Sequence, residues 1–221
     1  GKRTALLYDQ SLKQRDRAID AWRAVLDIDD GDMDALDALG RLYVANLAWR
    51  DLAGILQRKI ELTTDPQDLR LMRLTNARLF DERLSDPQEA LAQLRAILDI
   101  APSDAEALEF LDRILTREGQ HADLLEVLDQ RAAIEADPPV RAAIAVRAAR
   151  LLGDELSDVE GAIGRYREIV LTSPDNEEAR EALWRIARGD DFRSAAVVAL
   201  EPLLRAGAAV PELVDLLELK L

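Results

Sequence analysis

The 221-residue chain contains no cysteine. Disulfides, thiolate metal sites and cysteine nucleophiles are thereby excluded. Its one histidine, His121, has no second imidazole or thiol to join it in a metal site or a catalytic triad. Aromatic residues make up only 4% of the chain, and lysine occurs only at Lys2, Lys13, Lys59 and Lys220. No apolar run approaches the roughly 20 residues that cross a bilayer as a helix. No sustained alternating pattern calls for a strand. There is no G-x-S-x-G, no phosphate-cradling glycine loop and no H-E-x-x-H, so no enzyme class is suggested and no cofactor or metal is expected. A signal-peptide pattern is also missing. That absence says little, because the chain starts inside a repeat and reads as a piece of a longer array.

What is present is Ala, Leu, Arg, Glu and Asp, side chains that lose little freedom in a helix. Acidic residues number 43 against 29 basic ones, a net charge of −14. That surface repels nucleic acid and anionic membrane and suits a basic protein partner, while also serving solubility. The soluble, cysteine-free composition favours a cytoplasmic setting. The excess of arginine over lysine hints at a GC-rich bacterial or salt-adapted source.

The strongest signal is repetition. Ala18-Ile19-Asp20-Ala21-Trp22-Arg23-Ala24-Val25-Leu26 matches the segments that begin at Ala90 and at Ala162, a constant step of 72 residues. A fixed period over most of a chain denotes a stacked array instead of one globular core. Each period holds four helical runs. In the second, Ala90, Leu91, Leu94, Ile97 and Leu98 form an i, i+3, i+4, i+7 stripe, and Pro102-Ser103-Asp104 ends that helix and caps the next. Ala105–Arg117 repeats the stripe. Leu124, Leu125, Val127 and Leu128 mark a third helix, and Ala142–Leu156 a fourth. The punctuation recurs: Asp65-Pro66 corresponds to Asp137-Pro138, and Ser85-Asp86 to Ser157-Asp158. Pro66, Pro102 and Pro174 all fall between apolar-periodic runs. About thirteen helices result, the first near Thr4–Leu12 and the last near Pro211–Leu219. No stretch has linker composition, so residues 1–221 read as one domain.

Half a period is 36 residues, close to a helical hairpin. Leu36, Leu39-Gly40 and Tyr43 resemble the large, large-small and aromatic positions of the first helix of a tetratricopeptide repeat. Ala90, Leu94, Ile97 and Pro102 resemble its second helix and closing proline, as do Ala162, Tyr166, Ile169 and Pro174. The resemblance covers nearly the whole chain as about six repeats. It implies an all-α, right-handed α-solenoid of stacked antiparallel hairpins. The departures are Leu52 and Leu124 where the family has alanine, units alternating at about 35 and 37 residues, and Asp112 and Trp184 in place of Gly40.

A charged triplet repeats with the helices. Asp34, Asp37 and Arg41 recur as Glu106, Glu109 and Arg113, and again as Glu178, Glu181 and Arg185. The spacing i, i+3, i+7 puts each triplet on one helix face. The resemblance implies that this face lines a concave groove that holds peptides. Equally, Asp37–Arg41, Glu109–Arg113 and Glu181–Arg185 are i, i+4 pairs that stabilise a solvated helix by about 0.2–0.5 kcal/mol each. Other features read as structural. Trp22, Leu94 and Tyr166 are equivalent core positions. His121 matches Trp49 and, allowing one deletion, Phe192; Trp184 then fills a gap left by that shortening near Asp190-Asp191. The run Asp27–Asp34 has its glycine one place early for a calcium loop and lacks the closing glutamate, so it is a helix-capping turn. Asn76, where the equivalents are Thr4 and Ala148, is either a buried hydrogen-bonding group or a groove contact.

The expectation is a non-catalytic protein-interaction scaffold that binds a peptide or partner protein in its groove through the nine triplet residues. The alternatives are self-association through exposed repeat ends, carried by Leu213, Val214, Leu216 and Leu217, and an accessory module fused to an enzyme. Leu98 is expected in the core, where truncation to alanine costs roughly 2–5 kcal/mol.

Overall fold

The computed structural model describes residues 1–8, 14–206 and 210–219. Among them are thirteen α-helices and no strand. These are α1 (Lys2–Leu6), α2 (Arg15–Leu26), α3 (Met33–Ala45), α4 (Trp49–Leu62), α5 (Pro66–Leu79), α6 (Pro87–Leu98), α7 (Ala105–Glu118), α8 (His121–Ile134), α9 (Pro138–Asp154), α10 (Val159–Thr172), α11 (Glu177–Ala187), α12 (Arg193–Ala206) and α13 (Val210–Glu218). A π-helical turn, Phe80–Leu84, extends α5. The chain is all-α, as the periodicity requires. The expected first helix ends earlier, at Leu6, and its continuation through residues 9–13 lies outside the described residues.

The period survives in the helix starts without slippage. Met33, Ala105 and Glu177 open α3, α7 and α11; Trp49, His121 and Arg193 open α4, α8 and α12. Pro66, Pro138 and Val210 open α5, α9 and α13, and Arg15, Pro87 and Val159 open α2, α6 and α10. No residue is therefore deleted near Asp190-Asp191. Phe192, expected to match Trp49 and His121, instead precedes α12, in register with Ala48 and Gln120. The Ala196 N–H donates to the Phe192 carbonyl as those of Leu52 and Leu124 do to Ala48 and Gln120. Trp184 fills no gap. It packs partly buried against the core, with Arg188 over its ring at 5.3 Å.

Local chemistry sets these starts. Asp32, Asp104 and Asn176 accept from the N–H groups of Ala35, Ala107 and Ala179 at 3.1, 2.9 and 2.9 Å. Asp86 and Asp158 cap α6 and α10 in the same way. Such caps satisfy amides that no helix turn can reach. Chain reversals repeat too: Ser85 and Ser157 sit at φ 53° and 58°, Leu47 and Gly119 at φ 55° and 65°. Glycine takes the left-handed region without steric strain, whereas a leucine there brings its Cβ too close to the following carbonyl oxygen.

The helices form two compact units, Gly1–Ala107 and Leu108–Leu221. In the first, consecutive helices pack on one another from α1 to α6; in the second they do so from α8 to α13, and α10 also meets α12. Each unit is thus a stack of antiparallel hairpins with its apolar stripes turned inward. Trp22, Leu94 and Tyr166 are buried together with the small Ala18, Ala90 and Ala162, as their equivalence demands. Leu98 is only half-buried, whereas Leu94 is wholly enclosed. The cost expected for Leu98 therefore belongs to Leu94.

In a thermal or denaturant titration, Leu94→Ala should cost roughly 2–5 kcal/mol and Leu98→Ala clearly less; equal losses would contradict this packing. Leu47→Gly should stabilise the chain by about 0.5–1 kcal/mol, by relieving the left-handed leucine; a lower midpoint would show that Leu47 carries no strain.

Candidate functional site

All nine triplet residues are exposed, on α3, α7 and α11. The first acid of each is already engaged. Asp34 accepts from the Lys2 ammonium at 2.8 Å. Glu106 accepts from Arg78 at 2.6 Å and from Arg70 at 2.8 Å, and Glu178 pairs with Arg150. Arg78–Glu106 and Arg150–Glu178 are one bond repeated a full period apart. Asp37 is held by Lys59 of α4 at 2.7 Å, a tie to the neighbouring helix. Arg113 lies over the Phe110 ring at 4.3 Å. The cationic partners went unforeseen, although Arg78 and Arg150 stand at the same register in the sequence.

The cap residues are tied down by the same cations. Lys2 bridges Asp32 and Asp34, and Arg70 grips Asp104 and Glu106. The hydrogen bond from Lys2 is the main cause that lowers the Asp32 carboxyl below its usual range, and the Asp32 carboxylate in turn raises Lys2 to about 12. Arg70 likewise holds the Asp104 carboxyl down, and Asp104 raises the guanidinium. One carboxylate thus starts a helix and locks it to the preceding hairpin. The acidic run resolves into such contacts: Asp29 turns onto the Gly31 N–H, Asp30 meets Arg58, and Asp32 caps α3. His121 faces Glu155 at 3.4 Å.

Clefts accompany this framework among the described residues. One, of about 500 Å³, lies between the first helices α3 and α5 over α4. Asp37 and Arg41 stand on its wall with Leu36, Val44, Lys59 and Thr75. Gly40 opens this space. A side-chain carbon there would meet Ile55 and Leu52 at an ordinary 3.9 Å, so close helix approach is not what the glycine serves. One period on, Asp112 takes its place, buried between Arg131 and Arg147, with Thr116 bonded at 3.1 Å. Lys59 and Thr75 have become those two arginines. The charged cluster occupies this register in the second unit, and a cleft of about 320 Å³ there lies beside it, lined by Thr116, His121 and Arg150. Asp112 was legible only as a departure from a small residue; its two cations come from other helices.

A further cleft of about 340 Å³ runs between the second helices α4 and α6 with α5 beneath. Asn76 borders it, wholly buried, and neither its amide nitrogen nor its oxygen has a partner. Leaving such a group unpaired costs about 1–3 kcal/mol. Another cleft, about 580 Å³, lies between α8 and α10 and is bounded by the Arg165–Asp129 ion pair. Among the described residues no helix is long and apolar enough to cross a membrane.

No family model matches the chain, and no curated protein matches it in sequence. Among solved structures it is similar to YrrB, described as a TPR protein with an unusual peptide-binding site, at 20% identity over 80% of this chain and 87% of that one, TM-score 0.42. It is similar to MamA at 16% identity over 92% and 94%, TM-score 0.39. The TPR2AB domain of yeast Sti1, solved in complex with pHSP90, aligns at 12% identity over 99% and 96%, TM-score 0.32. These likenesses concern the fold alone. The period and the hairpins of each unit define the class by themselves: a TPR-like helical repeat protein.

Asp104→Asn keeps a cap, as Asn176 shows, but removes the charge. A carboxyl with a lowered pKa stabilises the fold above its unfolded value, about 3.9, and the gain is lost as pH falls through the folded value. The variant should be about 0.5–1 kcal/mol less stable at neutral pH, solvent screening limiting the loss on the Arg70 side. Denaturation curves across pH should show the difference closing in acid; a constant gap would rule out the ion pair as its source.

Proposed function

We propose that this chain is a non-catalytic protein-interaction scaffold, with a peptide or partner protein held against the first-helix faces. The observation that carries this reading is the cleft between α3 and α5, where Asp37, Arg41 and Lys59 surround the apolar Leu36 and Val44. A preformed wall of that kind binds without prior ordering, and alternating charges over an apolar floor suit an extended segment with charged side chains. Glu109 with Arg113, and Glu181 with Arg185, present the same face one and two periods later. Asp34, Glu106 and Glu178 serve this surface from behind, by fixing its helices to the preceding hairpins. The net charge of −14 favours a partner rich in Lys or Arg.

Self-association is the second reading. Val214 and Leu217 of α13 are 49% and 39% exposed, while Leu216 beside them is enclosed. Exposed apolar residues at the end of a repeat stack are a ready contact for a second copy.

Peptides selected from a displayed library on the unaltered chain should lose about tenfold or more in affinity, about 1.4 kcal/mol, when Asp37, Arg41, Glu109, Arg113, Glu181 and Arg185 are changed to alanine. Helicity should be unchanged. Equal affinity would remove these residues from the binding surface. Light scattering over a concentration series separates the two readings: constant mass favours the peptide scaffold, rising mass the contact through α13.

A further inference from the structure

The cleft between α4 and α6 is a different surface from the one just described, and the molecule contains its own comparison for it. One period later, the positions of Ala53, Asn76, Phe80 and Leu84 are held by Leu125, Ala148, Leu152 and Leu156. There Leu152 belongs to the apolar cluster, Leu125 and Leu156 pack against it, and Ala148 is buried. The positions of Gln57 and Gln93 are held by Asp129 and Arg165, which join α8 to α10 as an ion pair. The same hairpins thus fold with this register packed by leucine and bridged by charge. In the first unit the leucine is an alanine, Gly54 has open space above it, and both charges are carboxamides.

Three carboxamides, Gln57, Asn76 and Gln93, therefore line one cleft of about 340 Å³, at the lower end of the range for ligand sites. The Asn76 amide is wholly buried and unpartnered at both ends. The Gln93 oxygen accepts from Arg73 Nη1 at 3.3 Å, which leaves its NH₂ group to donate, and the buried Arg73 Nε has no partner. A carboxamide offers one acceptor beside a pair of donors. A peptide amide answers both at once. The lining carries charges of both signs, Arg50 against Glu89 and the helix-capping Asp86, and Phe80 and Leu84 supply apolar contact.

We propose that this cleft is a second binding site, one that receives the backbone of a short extended peptide segment from a partner protein. Asn76 reads a peptide unit through its N–H and C=O, Gln93 donates to a neighbouring carbonyl, and Phe80 and Leu84 cover the apolar side. Backbone recognition of this kind tolerates varied side chains. The site does not depend on the first-helix surface, and the alanine variants described there leave it intact.

The test uses the full ¹⁵N-labelled chain, titrated with N-acetyl-trialanine N-methylamide while the side-chain NH₂ signals of Asn76, Gln57 and Gln93 are followed by NMR. These three should shift together and saturate. Ala53→Leu, which installs the leucine of the second unit and leaves Asn76 in place, should abolish the saturable response while helicity is retained. Asn76→Ala, matching Ala148, should also abolish the response of the two glutamines and raise the thermal midpoint. No saturable shift, or one that survives Ala53→Leu, would overturn the proposal and mean that the cleft holds water only. Saturation by sodium acetate in place of the capped peptide would equally overturn it, since the site would then be reading a carboxylate.

Discussion

A pair of amphipathic helices cannot bury its own apolar stripe. Within each unit a hairpin is stable because the next covers it at a fixed register, and every other feature depends on that requirement. Trp22, Leu94 and Tyr166 fill the same layer in successive periods, and Ala18, Ala90 and Ala162 let the adjoining helix close over them. A one-residue slip would turn a helix by about 100° and carry its stripe towards water. That explains why the helix starts keep step through three periods even where the sequences differ, as at Phe192 and Arg193.

Register alone does not stop a hairpin rocking on its neighbour. The repeated ion pairs supply that restraint, and they do so economically. Asp32 and Asp104 each start a helix and accept a cation from the previous hairpin, so the end of one helix is fixed in position by the body of another. Individually such partly exposed pairs contribute little. Repeated along a stack whose units contact only their neighbours, they add at each junction. The same contacts take the first acid of each triplet into structural service, and Asp37 is tied to Lys59 besides.

Variation between the two units then falls where packing does not forbid it. Gly40 gives way to Asp112, and the space becomes a buried carboxylate between two arginines. Ala53 gives way to Leu125, and Gln57 with Gln93 to an ion pair. Both exchanges leave the hairpins in place.

The period, the helix class, the cap at Asp104 and the core layer of Trp22, Leu94 and Tyr166 were all legible in the sequence. They rest on contacts within a turn or two of helix and on equivalence between copies. The half-burial of Leu98, the pairing of Asp37 with Lys59, the cations that meet Glu106 and Glu178, and the isolation of Asn76 were not. Each depends on side chains from two or three helices that lie 20 to 36 residues apart in the chain. The sequence by itself determined which segments are helices and which stripe turns inward, because those are settled by local hydrogen bonds and by the spacing of apolar residues. Only the tertiary structure decided which charges neutralise one another and which clefts remain open, because long arginine and glutamine side chains reach across a junction whose geometry exists only once the hairpins have stacked.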